Sequence, residues 1–321
     1  MSEWKEYKLG ELGKIVTGKT PPTSQHQNYD GDIPFICIPD LGKSRFIFHT
    51  NKTISKIGLE TVKNCSLPKG SVVVSCIATI GQVGITTKDI SVTNQQINSL
   101  IPDSNLITEE FCYYYFKNLG EDLAQFGGGG SIFEIISKDK FSKVYLTIPS
   151  LPEQTAIASV LSSLDDKIDL LHRQNATLEK MGETLFRQWF VEDAKEEWEC
   201  YKLKDLVKHV KPGTNFQPKR IEYGIPFLNV RNLNNGFIDL SDTTKISKEE
   251  YQRVHKNWEP EENDILISRI GTLGIVAVIQ GSDLPVAVHY NMINLKAKTI
   301  SYQFLYFLLK SQLFKEKYFS N

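Results

Sequence analysis

Residues 151–190 read LPEQTAIASVLSSLDDKIDLLHRQNATLEKMGETLFRQWF, and the rest of the chain is parsed around them. Ile157, Leu161, Leu164, Ile168, Leu171, Asn175, Leu178, Gly182, Leu185 and Trp189 step by alternating fours and threes. That spacing is a coiled-coil seam with two non-apolar interruptions, Asn175 and Gly182. Pro152 and Glu153 supply the start signals of a helix. A helix from Pro152 to Phe190 reaches about 58 Å at about 1.5 Å per residue, more than a small globule needs for its own core. The seam therefore predicts a helical partner, and Asn175 is the kind of polar residue that fixes register at a cost in stability.

The sequences on either side repeat each other. Trp4-Lys5-Glu6-Tyr7-Lys8-Leu9 returns as Trp198-Glu199-Cys200-Tyr201-Lys202-Leu203, an offset of 194. Ile33-Pro34-Phe35 returns as Ile225-Pro226-Phe227, and Ile54-Ser55-Lys56 as Ile246-Ser247-Lys248, both at 192. Ser75-Cys76-Ile77-Ala78-Thr79-Ile80-Gly81 lines up with Ser268-Arg269-Ile270-Gly271-Thr272-Leu273-Gly274 at 193. Ile97-Asn98 matches Ile293-Asn294, and Phe111-Cys112-Tyr113-Tyr114 matches Phe304-Leu305-Tyr306-Phe307. Short apolar strings recur by chance, but an ordered series at near-constant offset is a duplicated domain. Gly70 falls opposite Asn263, which predicts a positive-φ turn in both copies. Each copy shows short strands of β-branched and aromatic residues broken by irregular turns. Each also has one helix with a Ser/Thr cap, around Thr108 to Leu119 and Ser301 to Phe314. The expected architecture is α+β: two similar strand-rich globules, 1–150 and 196–321, joined by a long coiled-coil-type helix over 151–195.

Composition narrows the function classes. The 321 residues carry 37 Lys+Arg and 38 Asp+Glu, a net charge of -1, so the strongly basic field of a histone-like protein is excluded. Residues 151–195 hold 5 basic and 8 acidic side chains, whereas 196–321 hold 17 and 15. The surplus acid thus lies on the helix, and local cationic patches on the globules remain open. Five scattered cysteines without a C-x-x-C pair argue against zinc or a disulfide framework. The sequence shows no apolar leader or membrane span, so the expectation is a cytoplasmic chain.

No catalytic constellation presents itself. Gly13-Lys14-Ile15-Val16-Thr17-Gly18-Lys19-Thr20 matches the P-loop pattern, but Pro21-Pro22 follow at once where a helix should begin. The second copy, Val210-Lys211-Pro212-Gly213-Thr214, lacks the motif, so nucleotide binding is not expected. The six histidines show no metal-binding spacing, and there is neither a methyltransferase cofactor loop nor a nucleophile elbow. What remains is four polar loops in corresponding places. The first is Thr17, Gly18, Lys19 and Thr20, against Lys211 and Thr214; the second holds Asp40, Lys43 and Arg45, against Arg231, Asn232 and Asn234. The third carries Ser75, Thr79 and Gly81, against Ser268, Arg269 and Thr272; the fourth is Asn94, Gln95 and Gln96, against Tyr290 and Asn291. Arg, Lys, Asn and Gln read base edges, while Ser, Thr and glycine N–H groups hold phosphates. A shared frame with different side chains at the loops is what two readers of different sequences would show.

Globule, Leu151-Pro152-Glu153-Gln154-Thr155-Ala156-Ile157-Ala158 with Leu161, Leu164, Asp165 and Ile168, then globule: this order resembles the specificity subunits of type I restriction-modification enzymes. The Asn94-Gln95-Gln96-Ile97 and Ser-x-x-Gly/Ala-Thr-x-Gly elements support the likeness, which covers nearly the whole chain. The resemblance implies two target recognition domains, each reading half of a split site in double-stranded DNA. It implies a helix that spaces them and docks methyltransferase subunits, and a restriction/translocase subunit as a further partner. It also implies no cofactor on this chain, with S-adenosylmethionine, ATP and Mg on the partners. The helix-packing residues are then Ile157, Leu161, Leu164, Ile168, Leu171, Asn175, Leu178, Leu185 and Trp189. One departure stands out: Asn321 corresponds to Gly128, so counterparts of Gly129 to Pro149 and of a second long helix are not found. The lone seam could then pair with a second copy of the chain or with a helix supplied by a partner, or the chain could be a truncated, weakly active specificity subunit. The competing reading is a coiled-coil adaptor between proteins with no role at DNA.

Overall fold

The computed structural model describes residues 4–77, 79–120, 122–123, 136–215, 217–234 and 236–319. Contacts divide the chain into two units, Met1–His172 and Arg173–Asn321.

The first unit contains, in chain order, β1 (Lys5–Lys8), β2 (Gly13–Thr17), β3 (Tyr29–Ile36), β4 (Phe46–Ile47), β5 (Lys52–Ile54), α1 (Lys56–Thr61), β6 (Ser66–Leu67), β7 (Val72–Ser75), β8 (Val83–Thr86), β9 (Ser91–Thr93), β10 (Ile97–Pro102), α2 (Glu109–Leu119), α3 (Lys138–Ser142) and β11 (Tyr145–Ile148). The main sheet runs β2-β10-β7-β8-β4 and a second runs β5-β3-β9-β6. Val72, Val73 and Val74 form a central strand with no exposed face, which is why it reads as a continuous apolar run without alternation. Helix α2 starts at Thr108, whose Oγ1 accepts from Phe111 N, and buries Phe111, Cys112, Tyr113, Tyr114 and Phe116 in the core.

The second unit repeats this plan with β12 (Val207–Pro212), β13 (Ile225–Leu228), β14 (Leu233–Asn234), β15 (Phe237–Ile238), β16 (Thr244–Ile246), α6 (Lys248–Val254), β17 (Ile265–Ser268), β18 (Val276–Val278), β19 (Ala287–Val288), β20 (Met292–Ala297), α7 (Tyr302–Lys310) and α8 (Gln312–Phe319); a short helix, α5 (Leu203–Leu206), precedes β12. Sheet order β12-β20-β17-β18 mirrors β2-β10-β7-β8, and β16-β13-β19 mirrors β5-β3-β9. In both copies the Ile-Pro-Phe strand pairs in parallel with its neighbour, Phe35 against Val92 and Phe227 against Ala287. Gly70 has φ +83° and Asn263 +66°, the matched turn expected from their alignment. The expected single helix from Ser301 to Phe314 is divided. Ser311 is extended, with φ -60° and ψ 147°, and its Oγ accepts from Phe314 N, so it ends α7 and caps α8.

Helix α4 (Leu151–Arg187) continues as a π turn over Gln188–Glu192. In the first unit the polar letters of its opening motif hold their own globule. Gln154 is fully buried: its Nε2 donates to Leu106 O at 2.9 Å and Pro149 O at 3.0 Å, and its Oε1 accepts from Thr108 N at 3.0 Å. Asp165 accepts from Tyr114 Oη at 3.0 Å and from Lys117 Nζ at 3.3 Å. In the second unit Lys310, opposite Lys117 in the repeat, donates to Glu179 at 2.5 Å and pairs with Glu183 at 2.7 Å. Gly182 interrupts the seam because Phe307 occupies the space: a Cβ there would stand 2.4 Å from its ring. The remaining seam letters stay open, Leu164 58%, Ile168 50% and Leu178 63% exposed, with Leu161, Leu171, Leu185, Trp189 and the polar Asn175 also exposed and Ile157 half-buried. The class is thus α+β, two strand-rich units joined by a long helix.

Candidate nucleic-acid interface

In the first unit, β2 does not feed a phosphate-binding helix. Gly13–Thr17 is a strand, and Gly18, Lys19 and Thr20 continue as a loop. Gly18 N donates to Ile97 O at 3.1 Å, and a Cβ on Gly18 would fall 2.1 Å from Asn94 O, so only glycine lets the first and fourth loops close up. Thr20 Oγ1 donates to Gln95 Oε1 at 2.5 Å, and Asn94 Nδ2 to Gln96 Oε1 at 3.1 Å. Gln96 O accepts from Cys76 N at 2.9 Å, joining the third loop to the fourth. A Cβ on Gly42 would meet Gln82 Oε1, so the second loop lies against the end of the third. All four loops therefore meet, and Lys19, Lys43, Thr79 and Gln95 are exposed among them.

The second unit assembles the same frame. Gly213 N donates to Met292 O at 3.0 Å, Thr214 N to Val288 O at 2.9 Å, and Tyr290 N to Thr214 O at 2.8 Å. Arg269 N donates to Asn291 O at 2.8 Å, the counterpart of the Cys76–Gln96 bond. Arg269 is exposed, and its Nε donates to Tyr290 O at 2.7 Å. That bond orients the guanidinium and leaves both terminal nitrogens for a ligand. Arg231 is exposed and paired loosely with Asp242 at 3.4 Å. Lys211, Asn234, Thr214 and Asn291 are half-buried, and Thr272 is exposed.

Several expected contacts are instead used to shape the loops. Ser75 and Ser268 are fully buried. The Ser75 hydroxyl donates to Thr79 O and accepts from Gln82 N; that of Ser268 donates to Thr272 O at 2.6 Å and accepts from Ile275 N at 2.8 Å. Gly81 at φ +83° and Gly274 at +73° close the two turns identically. Thr17 Oγ1 donates to Asn98 Oδ1 at 2.6 Å. Asn232 is 3% exposed; its Oδ1 accepts from Asn229 N, and its Nδ2 donates to the carbonyls of Asp239 and Asp242. Asp40 performs the same closure on Cys37 N and Asn51 N. Arg45 is 8% exposed and bonded to Tyr114 and Asp166, so its charge is already satisfied inside the unit.

Sequence reasoning missed His289. Its ring packs between Phe227, at 5.6 Å, and Tyr290, at 4.5 Å, where the first and fourth loops of the second unit meet. Burial lowers its pKa from the usual value, so it is neutral near pH 7. Only its position beside the Tyr290-Asn291 loop could have signalled it. Elsewhere burial raises the Cys76 thiol to about 11, which removes it as a nucleophile at neutral pH. Among the described residues there is no cluster of three metal-ligating side chains, and no helix is long and apolar enough to cross a membrane. The loops offer donors and acceptors on a firm frame, an arrangement suited to recognition.

The model of the type I restriction modification DNA specificity domain matches residues 1–180 and again 195–321, in line with the internal repeat. The MjaIX specificity subunit of a type I restriction enzyme from Methanocaldococcus jannaschii is 33% identical over 266 residues, covering 75% of this chain and 60% of that protein. The HindI specificity subunit from Haemophilus influenzae is 38% identical over 152 residues, covering 46% of this chain and 32% of the relative. The chain thus spans less than two thirds of the length of these two relatives. The crystal structure of a type I restriction-modification S subunit from M. genitalium aligns over 100% of this chain and 80% of its own, with a TM-score of 0.54 and 18% identity. At that identity the likeness is one of fold.

Proposed function

The chain belongs to the type I restriction-modification DNA specificity family, and on that premise we propose that it is the non-catalytic reader of a bipartite site in double-stranded DNA. Residues 1–150 and 196–321 are the two target recognition domains, and 151–195 is the spacer on which methyltransferase subunits dock, with a restriction subunit joining them. S-adenosylmethionine, ATP and Mg belong to those partners, and the complex works in the cytoplasm. The observation that carries this reading is the pair of loop clusters: the same hydrogen-bonded frame in both units, with different side chains at the tips.

Within the frame the roles divide. Lys19, Thr20, Lys43, Thr79, Asn94, Gln95 and Gln96 face the first half-site. Lys211, Thr214, Arg231, Asn234, Arg269, Thr272 and Asn291 face the second. Ser75, Ser268, Gly18, Gly81, Thr17 and Asn232 hold the loops in shape. A guanidinium fixed through Nε, as in Arg269, suits a bidentate contact to guanine O6 and N7, worth about 1–3 kcal/mol of discrimination. The exposed seam on α4 supports docking on the helix, since a soluble chain seldom leaves so many leucines open without a partner.

The test is reconstitution with the modification subunits, followed by mapping of methylated bases on genomic DNA with and without the chain. A bipartite motif that disappears with the chain is the expected result. An unchanged pattern overturns the proposal.

A further inference from the structure

We infer that Arg45 is a positioning residue that ties the second loop of the first unit to helix α4 through Asp166, and that reading of the first half-site alone depends on this tie. The inference rests on the specificity reading above. Both terminal nitrogens of Arg45 are engaged: Nη1 donates to Tyr114 Oη at 3.0 Å and Nη2 to Asp166 Oδ1 at 2.8 Å. The guanidinium also lies 4.7 Å over the ring of Phe46. Tyr114 passes the link on, donating to Asp165 Oδ2 at 3.0 Å. One buried cation thus joins a recognition loop to two consecutive carboxylates of the helix. A guanidinium so occupied cannot read a base, but it fixes the backbone that carries Lys43.

The second unit shows that the fold does not require the tie. Ile85 N donates to Arg45 O at 2.9 Å, and the equivalent Val278 N donates to Gly236 O at 3.2 Å, so Gly236 occupies the place of Arg45. The match is anchored by the strand pairs Val72–Ile85 and Ile265–Val278. Gly236 has φ +101°, and a Cβ there would stand 2.9 Å from Tyr306 Oη. No side chain can be installed without displacing that tyrosine, which with Lys310 bonds to Glu179. The second recognition loop therefore has no side-chain link to α4 at this position, whereas the first has one, at 2.8 Å. The Asp166 side chain is 65% exposed, so a subunit seated on the helix can compete for it.

The test uses the full chain assembled with its modification subunits, and methylation rates on duplexes carrying single base changes in either half-site. Asp166→Asn should reduce discrimination at the first half-site by about tenfold, the scale of one charge-assisted hydrogen bond. The second half-site should stay as in the wild type, while the melting temperature of the first unit falls modestly because the buried Arg45 guanidinium keeps only the neutral Tyr114 as partner. Asp166→Glu should restore discrimination, and Arg45→Lys should not, because one ammonium cannot span both partners. Equal losses at both half-sites, no loss at either, or failure of Asp166→Glu to rescue would each overturn the inference. If the wild-type chain directs no bipartite methylation, the specificity reading falls and this inference with it, and that outcome is visible before any variant is made.

Discussion

Lys117 and Lys310 occupy the same place in the repeat and both bond to carboxylates of α4, yet replacing each with methionine should have very different costs. The Lys310 side chain is 6% exposed and lies between Glu179 and Glu183, whose side chains are 28% and 47% exposed. Removing a buried partner costs about 3–5 kcal/mol when the opposing charge stays buried. Here both glutamates retain access to water, which screens them and reduces the cost to about 2–3 kcal/mol. Lys117 is 53% exposed and Asp165 24%, so that pair is worth under about 1 kcal/mol. Methionine keeps most of the aliphatic stem in both variants, so packing changes little. At about 2–4 °C per kcal/mol for a unit of this size, Lys310→Met should lower the transition of the second unit by about 5–10 °C, and Lys117→Met that of the first by no more than about 4 °C. Differential scanning calorimetry at low and high salt would read both, and 1 M salt should erase the Lys117 effect while sparing that of Lys310. Equal shifts, or a larger one for Lys117→Met, would refute the reasoning that burial and not sequence equivalence sets the worth of these pairs.

Other expectations are equally direct. His255 is 3% exposed, its Nδ1 lies 3.1 Å from Trp258 O, and burial holds its pKa down at about 4 against an ordinary 6.5. The unfolded chain therefore takes up a proton first, and stability should fall by about 3 kcal/mol between pH 6.5 and 4; in denaturant titrations His255→Phe should flatten that slope, and an unaltered slope would assign it to other groups. Arg269→Ala should relax the second half-site only, by about 1–3 kcal/mol; uniform loss across all sequence variants would make Arg269 a phosphate contact. Gly213→Ala would place a Cβ 2.3 Å from His289 O. It should cost about 1–3 kcal/mol and weaken recognition of the second half-site, and wild-type methylation rates would show the loops to be independent. Ile168→Ser should change the stability of the isolated chain by no more than about 0.5 kcal/mol, since Ile168 is already half exposed, yet abolish co-purification with the modification subunits.

Much of the fold was legible in the sequence because it was written twice. The matched turn at Gly70 and Asn263, the caps at Thr108 and Ser301, and the α4 seam all follow from local conformational preference or periodicity. The division of the last helix at Ser311 was not legible, since a serine there suits a helix surface as well as a cap. At the candidate interface the loops themselves were identifiable, but the direction of each polar side chain was not. Ser75, Asn232 and Arg45 are as hydrophilic as Lys19 or Arg231, and their inward turn depends on Gln82, Asp239 and Asp166, partners 7 to 121 residues away in sequence. Gly182 breaks the apolar pattern of the seam because the Phe307 ring stands against it, a contact with no local signal in the sequence.

The buried serine that closes the third loop has a consequence for how such a protein changes. Ser75 and Ser268 bond to main-chain groups within their own turns, together with a glycine six residues on, so the shape of the turn is independent of most of what it displays. Residues at the tip can therefore drift or be exchanged without refolding the sheet beneath. A library confined to Ile77 and Thr79 in one unit and Arg269, Ile270 and Thr272 in the other would vary the proposed reading tip and leave Ile80, which packs against the core, in place, so that the scaffold's stability stays nearly constant and this turn becomes the natural place to begin engineering.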